Sequence, residues 1–400
     1  MVDDTTPPGA HDPQVAGMAA TWPVQFTPGE QAPPPPPPDS SGLCLSGGGS
    51  RAMLFHVGAL RRMNELGLLS RLDRISSVSG GSIVSGLLGI RWKDLTFDAG
   101  SVATNFEHLL AEPIFDFASV QVDIPAAIKG VLLPRVTAAS TFTGILADHL
   151  YGSTSLQDLP HGGQGPRFVI NATNLQSGAL WRFSQPYTWD WKVGQIKEPT
   201  FPVAVAVAAS AAFPPFFAPV RLDLPEGAFT PGTGDGLETP EFQRRVLLAD
   251  GGVYDNLGLE TVFKRCHTIY ASDGGGRMAE TPDIDTDWIR QPLRVMNVID
   301  NQVRSLRKRL LIASFGRDRA GAYWATWSDL SELKVPDALP CPFALTKPLA
   351  EMATRLTRIP LARRRALANW GYAIADASIR AAEPGTYGAP GDFPYPGGLG

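Results

Sequence analysis

Two segments that each join an apolar run to a glycine-rich turn constrain the fold of this chain most strongly. The first passes from Leu43–Leu45 into Gly47-Gly48-Gly49-Ser50-Arg51, and the second from Arg74–Val78 into Ser79-Gly80-Gly81. After both turns, apolar side chains recur at the spacing of a helix. Strand–turn–helix units of this kind pack their helices back onto a sheet, so the sequence predicts an α/β layer fold.

The second turn carries a candidate nucleophile. Ser79 lies in Ser77-Val78-Ser79-Gly80-Gly81, which is typical of a sharp strand-to-helix turn that holds a serine hydroxyl away from the backbone. Ser77 stands where such a turn usually has glycine, and its side chain is small enough to be compatible. Taken alone, the pattern also fits an ordinary Ser/Gly turn.

The first turn places glycines at the start of a helix, where backbone N–H groups and the helix dipole favour a negative charge. The run Gly47–Arg51 is therefore a candidate anion hole for the oxygen of a tetrahedral intermediate. A flexible turn is an equal alternative. A phosphate loop is disfavoured, because the Gly-Lys-Ser/Thr ending of such loops is missing.

A serine nucleophile also needs a base, and the sequence offers two acids. Asp250 ends the apolar run that starts at Arg245 and is followed by two glycines, and Asp273 ends a similar run. An acid at the carboxyl end of a strand lies at the rim where α/β sites form. His267 adds a third option, because Ser79, Asp250 and His267 follow the chain order of a Ser–Asp–His triad. The residues alone do not choose among these arrangements.

Taken together, these motifs resemble the patatin-like phospholipase family. That family carries a Gly-Gly-Gly-x-Arg/Lys segment, a Gly-x-Ser-x-Gly elbow and an Asp-Gly-Gly/Ala segment in this order. The chain matches them at Gly47–Arg51, Ser77–Gly81 and Asp250–Gly252, and is also similar at Asn171–Asn174 and Ala208–Pro219. The resemblance covers roughly residues 42–275.

The resemblance implies a three-layer α/β/α sandwich of patatin-like type with a helical C-terminal extension. It implies a Ser–Asp dyad without histidine, with Ser79 as nucleophile, Asp250 as base and Asp273 in a structural role. The implied reaction is hydrolysis of carboxylic esters in a lipid or phospholipid substrate, with no metal and no organic cofactor. Two other functions stay open: a soluble esterase or thioesterase with a Ser79–Asp250–His267 triad, and a catalytically inactive lipid-binding scaffold.

The resemblance also implies an anion hole in the first turn. The N–H groups around Gly47, Gly48 and Gly49 would form it, with Ser50 in the same segment, and Arg51 would support the loop electrostatically.

The chain divides by composition into four regions. Residues 1–40 are Pro-rich and end in Pro33–Pro38, which predicts a disordered arm that could dock a partner. Residues 41–275 form the predicted catalytic core, in which the apolar stretch 109–151 is a candidate lid or a cover over the core. Residues 276–383 read as a mainly helical extension, with long helices at 286–314 and 360–382. Residues 384–400 read as a frayed tail.

Charge and cysteine usage exclude several classes of protein. A net charge of −4 and a pI near 5.9 argue against nucleic-acid binding. The three cysteines are scattered, which fits a reducing compartment, and they lack metal-ligand spacing. An acidic start and the lack of an apolar span predict a cytoplasmic protein.

Membrane contact, where it occurs, is expected to be peripheral. The apolar candidates are Phe115 and Phe117 in the stretch 109–151, together with Phe213–Phe217. The basic run Arg304–Arg309 is expected to be a solvated helix face, with lipid headgroups as the alternative partner.

Overall fold

A computed structural model of the chain describes residues 35–122, 138–214, 217–284, 287 and 290–400. Both predicted strand–turn–helix units are present. The first joins β1 (Ser41–Leu45) to α1 (Gly49–Glu65), and the second joins β2 (Arg74–Ser77) to α2 (Gly80–Arg91). The two strands pair in parallel, which sets their glycine turns side by side at the same edge of the sheet.

Within the described residues, ten strands form one mixed sheet. The remaining strands are β3 (Arg167–Asn174), β4 (Leu180–Phe183), β5 (Tyr187–Asp190), β6 (Gly194–Lys197), β7 (Val220–Asp223), β8 (Arg245–Asp250), β9 (Thr268–Asp273) and β10 (Ala320–Ala325). The main path runs β10-β9-β1-β2-β3-β4-β5-β6, with β8 paired to β3 and β7. The strands from β10 to β3 are parallel, and the others are antiparallel.

One junction in this sheet determines where the candidate site forms. Strand β2 is parallel to β3 and ends with Ser77 opposite Ile170. Strand β8 is antiparallel to β3 and ends with Asp250 opposite Ala172. Since β4 occupies the other side of this part of β3, β2 and β8 share one edge of β3 and run towards each other. Their carboxyl ends therefore meet.

Helices cover both faces of the sheet, as the predicted sandwich requires. The α-helices not yet named are α3 (Glu112–Phe117), α4 (Ala138–Leu146), α5 (Val203–Ser210), α6 (Pro240–Gln243), α7 (Gly252–Asp255), α8 (Glu260–Phe263), α9 (Arg290–Ser314), α10 (Phe343–Ala350) and α11 (Leu361–Ala382). Single π-turns lie at Glu107–Ala111 and Ala147–Tyr151, and 3₁₀ turns at Leu69–Arg71, Trp92–Asp94, Leu156–Asp158 and Leu330–Leu333.

Alternation along β1 shows the two layers. Leu43 and Leu45 are buried in the larger core, while Cys44 is buried in a second core with Phe263 and Leu311 on the opposite face. Successive side chains of a strand point to opposite faces of its sheet. The continuous apolar character of Leu43–Leu45 therefore reflects a strand that is covered on both sides.

The C-terminal region is part of the sandwich. Helix α11 crosses α1 at very close range: a Cβ atom at Gly58 would lie 1.8 Å from the Ala368 carbonyl oxygen, and one at Gly371 would lie 1.9 Å from that of Phe55. The region is also not only helical, because β10 extends the sheet beside β9.

Residues 384–400, predicted as a frayed tail, are mostly exposed but contact the core at several points. The buried side chain of Asn369 donates to the carbonyl oxygens of Tyr395 and Gly398 and accepts from the Tyr395 N–H. Leu399 is buried as well. The Asn369 amide on α11 thus ties the last turns of the chain to the core, a long-range contact that local composition does not reveal.

The stretch 109–151 is a cover over the core wherever it is described. Phe115 and Phe117 are buried, and the Phe115 ring packs 4.8 Å from the ring of Tyr395. The prediction that these two phenylalanines reach lipid is therefore wrong. Residues 123–137 of this stretch, and residues 1–34 of the Pro-rich arm, lie outside the described residues. In the part of the chain that is described, no helix combines the length and apolar character that crossing a membrane requires.

Candidate active site

Ser79 lies in the tight turn between β2 and α2 with φ +50° and ψ −119°. This backbone conformation is rare for a residue with a side chain and is maintained only where the surroundings enforce it. The flanking glycines show what enforces it here. A Cβ atom at Gly80 would lie 2.3 Å from the carbonyl oxygen of Gly49, and one at Gly81 would lie 2.3 Å from that of Leu45. The two predicted turns therefore pack backbone against backbone.

Asp250 is buried at the end of β8, close enough to Ser79 for that side chain to favour the ionised form of its carboxyl group. The N–H of Gly252 donates to Asp250 Oδ1 at 2.7 Å. Burial raises the pKa of Asp250 to about 7, against the opposing effects of the Gly252 N–H and of Ser79, and the negative charge of Asp300 adds to the rise. The carboxyl group can therefore exchange a proton near neutral pH.

Ser210 ties the serine turn to the end of β8. Its carbonyl oxygen accepts from the N–H groups of Ser79 and Gly251, both at 3.2 Å, and its Oγ accepts from Ser79 N at 3.0 Å. The N–H of Asp250 donates to the Ala212 carbonyl at 3.0 Å. The segment that starts at Ala208 was singled out in the sequence only as a family likeness, and this bridging role was missed.

Ser77 fits where a glycine was expected. Its Oγ accepts from Ser82 Oγ at 3.0 Å, and its carbonyl oxygen accepts from Asn171 Nδ2 at 2.9 Å. The hydroxyl is buried and satisfied, so this departure from the elbow pattern leaves the turn intact.

Backbone donors surround the serine, but not all of the predicted ones are available. The N–H of Gly47 donates to the Asn256 carbonyl at 3.0 Å, and that of Ser50 donates to the Arg355 carbonyl at 2.9 Å. The N–H groups of Gly48, Gly49 and Gly80 have no acceptor among the residues that the structure describes. Two of the predicted donors, Gly47 and Ser50, therefore have acceptors elsewhere, whereas the N–H groups of Gly48, Gly49 and Gly80 remain available among the described residues.

Arg51 is buried and fixes two neighbouring loops. Its Nε donates to the Gly274 carbonyl at 3.1 Å, Nη2 donates to Thr354 Oγ1 at 2.9 Å, and Nη1 contacts the Met352 carbonyl. Burial, with a smaller contribution from Arg304, lowers its pKa to about 10, so the side chain stays charged at neutral pH. Its described contacts support the walls of the site.

The second acid, Asp273, has a different set of partners. It accepts from Gly275 N at 2.9 Å and from the Tyr323 hydroxyl at 2.8 Å, and Arg304 lies 4.0 Å away. Burial alone would raise the pKa of Asp273, but Arg304 and these hydrogen bonds together lower it below its usual value. Asp273 is thus a buried carboxylate that connects neighbouring segments through an ion pair and hydrogen bonds.

Two histidines, His267 and His56, are held by partners other than the serine. His267 precedes β9, and its N–H donates to Ser40 before β1, at the amino end of these parallel strands. Ser79 lies past the carboxyl end of β2, so the structure does not bring His267 to it. His56 is buried between Ser272 Oγ at 2.8 Å and the Ser46 carbonyl at 2.9 Å. Burial lowers its pKa to about 4, which keeps it neutral.

Ser79 and Asp250 open into a cavity of about 420 Å³ with two unlike walls. One wall is apolar and includes Ala211, Phe213, Phe217 and Leu356. The other is the polar face of α9, with Arg294, Asn297, Asp300, Asn301 and Arg304. Phe213 and Phe217 thus line the cavity, while Pro215 and Phe216 lie outside the described residues. The α9 wall was missed in the sequence, where the only signal was the helical spacing of its polar residues.

Metal-binding geometry was sought across the described part of the chain. No group of three or more His, Cys, Asp and Glu side chains there could hold a metal ion.

Comparison with protein-family models identifies one match. The model of the patatin-like phospholipases matches residues 43–263, which is more than half of the chain. The chain therefore belongs to the patatin-like phospholipase family. No match was found among curated proteins.

Solved structures give weaker likenesses. A human GIVD cytosolic phospholipase A2 in complex with methyl gamma-linolenyl fluorophosphonate is 16% identical, with 92% of this chain and 62% of that chain covered and a TM-score of 0.47. Another structure of the human GIVD enzyme is 15% identical, covering 66% of this chain and 48% of that chain, with a TM-score of 0.40. VipD from Legionella pneumophila is 15% identical, covering 87% and 68%, with a TM-score of 0.35. The chain spans about half the length of the second human structure.

Proposed function

We propose that this chain is a lipid acyl hydrolase of the phospholipase A or carboxylic ester hydrolase type, with Ser79 as nucleophile and Asp250 as base. One observation carries the proposal: Ser79 lies beside a buried carboxyl group whose pKa burial raises to about 7, next to N–H groups that lack acceptors in the described structure. Nucleophile, base and anion hole are the three parts that acyl transfer to serine needs.

In the first half-reaction, Ser79 Oγ attacks the ester carbonyl carbon while Asp250 takes the hydroxyl proton. The carbonyl oxygen becomes an oxyanion that the N–H groups of Gly48, Gly49 and Gly80 stabilise. Collapse of the intermediate breaks the bond to the alcohol, and Asp250 returns the proton to the leaving oxygen. The products are an acyl-serine and a lysolipid or other alcohol.

In the second half-reaction, water attacks the acyl-serine and Asp250 takes one of its protons. The same N–H groups stabilise the second oxyanion, and the Ser79 oxygen leaves with the proton from Asp250. Free fatty acid is released, and the starting state is restored. A single carboxyl group thus acts as base and then as acid in each half-reaction.

Burial makes this use of a carboxylate plausible. An ordinary aspartate has a pKa of about 3.9 and is a weak base towards a serine hydroxyl. The raised pKa makes the Asp250 carboxylate a stronger base than an ordinary aspartate, and a base works best when its pKa lies near the working pH.

The pH profile tests the base. For a short soluble ester, we expect kcat/KM to fall about tenfold per pH unit below pH 7 and to level off above it, because only ionised Asp250 accepts the proton. Initial rates across this range, at constant ionic strength, measure the profile. A flat profile through pH 7 would contradict the assignment.

A matched pair of glycines tests the anion hole. Gly49 (φ +61°) and Gly178 (φ +68°) both have left-handed backbones, so Gly→Ala costs a similar backbone strain at each. A Cβ atom at Gly49 would meet the Arg355 carbonyl oxygen at 2.5 Å, whereas nothing lies within 4 Å at Gly178. We expect Gly49→Ala to lower kcat by roughly 10²-fold with little change in KM. Gly178→Ala should keep the wild-type kcat. Equal effects, or a change confined to KM, would exclude this role.

Product analysis tests the proposed reaction itself. Phospholipid vesicles incubated with the protein should yield free fatty acid and lysophospholipid in equal amounts, measured by mass spectrometry. Vesicle binding without release of fatty acid would favour the lipid-binding scaffold that the sequence left open.

A further inference from the structure

Helix α9 turns its polar side towards the cavity and its apolar side towards solvent, the reverse of the usual arrangement on a protein surface. The polar side chains of Arg294, Asn301 and Arg304 line the cavity. The apolar side chains on its other side are exposed: Val295 46%, Met296 41%, Ile299 57% and Leu306 47%. We call these four residues the outer face of α9. Amphipathic helices normally bury their apolar side and expose their polar one.

The spacing along α9 separates the two sides cleanly. Val295, Ile299 and Leu306 follow at intervals of four and seven, so they lie above one another on one side of the helix. Arg294, Asn301 and Arg304 repeat at intervals of seven and three on the side towards Ser79. The outer face is thus a continuous apolar stripe that runs along the back of the cavity wall.

The orientation is fixed by buried contacts on the inner side. Arg307 is 3% exposed and lies 3.3 Å from both Asp255 and Glu260, and Leu311 is buried in the second core. Arg304 pairs with Asp273. The run Arg304–Arg309 was predicted to be a solvated basic face, and these contacts remove Arg304 and Arg307 from it. A rotation of α9 that buried the apolar stripe would break these ion pairs and leave charges buried without partners.

The charge of α9 also differs from that of the whole chain. The helix carries six basic residues and one acid, Asp300, whereas the chain has a net charge of −4. Lys308 and Arg309 are exposed among the basic residues. Lys308 lies over the Tyr323 ring on the inner side, whereas Arg309 follows Leu306 by three residues and lies beside the stripe. An apolar stripe with an exposed cation beside it is complementary to a bilayer surface that contains anionic headgroups.

We propose that the outer face of α9 docks the protein onto the surface of a lipid bilayer that contains anionic headgroups. A bilayer is the fitting occupant because the stripe is apolar with Arg309 beside it, and because the same helix forms a wall of the cavity. The bilayer would lie about one helix diameter, roughly 10 Å, from the place where a lipid ester would react. The choice of occupant rests on the proposed function, but the docking itself does not require catalysis.

A fluorescent label tests the docking directly. Cys44, Cys266 and Cys341 are buried, so a cysteine introduced by Ile299→Cys can be labelled selectively with the environment-sensitive dye NBD. The matched control is Leu345→Cys on α10, where the native side chain is 49% exposed. With phosphatidylcholine vesicles containing a minority of phosphatidylglycerol, we expect a blue shift and an intensity gain of roughly twofold or more at position 299 only, since NBD brightens in apolar surroundings. No change at 299, or equal changes at both positions, would overturn the proposal.

A second pair of variants links docking to activity. Ile299→Glu and Leu306→Glu should each weaken vesicle flotation roughly tenfold or more, because each removes a buried apolar side chain from the bilayer surface and places a charge there. Leu345→Glu should bind like the wild type. All three variants should hydrolyse a short soluble ester at the wild-type rate. If the wild type itself does not hydrolyse that ester, the catalytic proposal is contradicted and the docking proposal is not.

Two results would assign the stripe to another occupant. A concentration-dependent dimer that Ile299→Glu dissolves, measured by light scattering, would identify a second copy of the chain. A large fall in the melting temperature of Ile299→Glu relative to Leu345→Glu would show that the stripe is covered within the fold. Either result would overturn the proposal.

Discussion

Ser79→Ala is expected to lower kcat for ester hydrolysis by on the order of 10³-fold or more while leaving the fold intact. The substitution removes the oxygen that would form the acyl intermediate, and only the anion hole and substrate binding remain. The backbone at position 79 is strained for serine and alanine alike, since both carry a Cβ atom at φ +50°. Rates on a short soluble ester and a thermal unfolding curve measure both parts of this prediction.

Ser101 provides the control for backbone strain. It is another serine at positive φ, +64°, in a turn remote from the catalytic elements. Ser101→Ala should therefore match the wild type in both rate and melting temperature. Residual activity in Ser79→Ala above a few per cent would show that another group performs the attack.

Asp250→Asn is expected to abolish activity and to raise stability at neutral and alkaline pH. An amide cannot take the serine proton, so turnover should fall as far as in Ser79→Ala. The gain in stability follows from ionisation. Burial raises the pKa of Asp250 from 3.8 to about 7, so the folded state binds a proton more tightly than the unfolded state does. The free energy of unfolding therefore drops as pH rises between these values.

If the substitution removed the whole cost of ionising the buried Asp250, the free energy of unfolding would rise by roughly 4 kcal/mol above pH 7. Part of it is offset, because the asparagine accepts the Gly252 hydrogen bond less strongly than a carboxylate does. We expect a net gain of roughly 1–3 kcal/mol at pH 8 that vanishes below pH 4. Denaturant unfolding of both proteins at several pH values measures it.

Asp273→Asn should have the opposite signature. Its lowered pKa means that the ionised form stabilises the fold, above the pKa of the unfolded state, through Arg304 and Tyr323. The asparagine variant should therefore lose stability at neutral pH but keep ester hydrolysis in the fraction that remains folded. His267→Ala should also keep activity. An active Asp250→Asn beside an inactive Asp273→Asn would reverse the assignment of the base.

Local signals in the sequence were sufficient for the elements that carry the site. The strand predicted from Arg74 ends at Ser77, and the predicted apolar helix after Ser79 forms as Gly80–Arg91. Glycine turns and apolar periodicity are short-range features, so they remain readable without knowledge of the fold. The sandwich fold was predicted because such strand and helix patterns alternate along the chain.

The choice between Asp250 and Asp273 could not be made from local features. Both acids end buried strands and precede glycines, and what separates them is pairing. Strand β8 runs antiparallel along β3 and meets β2 end to end, whereas β9 runs parallel beside β1. Strand direction depends on contacts between residues far apart in sequence, which a single chain does not encode in any short pattern.

The sequence did not predict that α9 lines the cavity, for a related reason. Its mixture of arginines and aliphatic residues predicts an amphipathic helix, and the usual expectation buries the aliphatic side. Here Arg307 finds buried acids in Asp255 and Glu260, and that pairing reverses the orientation. Partners of this kind are visible only once α7 and α8 are in place.

Covalent labelling of the nucleophile tests the central claim most directly. The protein should be treated with an alkyl fluorophosphonate, and the adduct located by peptide mass spectrometry. We expect one adduct per chain, on Ser79, that is absent in Ser79→Ala and forms far more slowly in Asp250→Asn. Lipid ester hydrolysis without labelling of Ser79, or an adduct on another residue whose formation abolishes activity, would contradict the account.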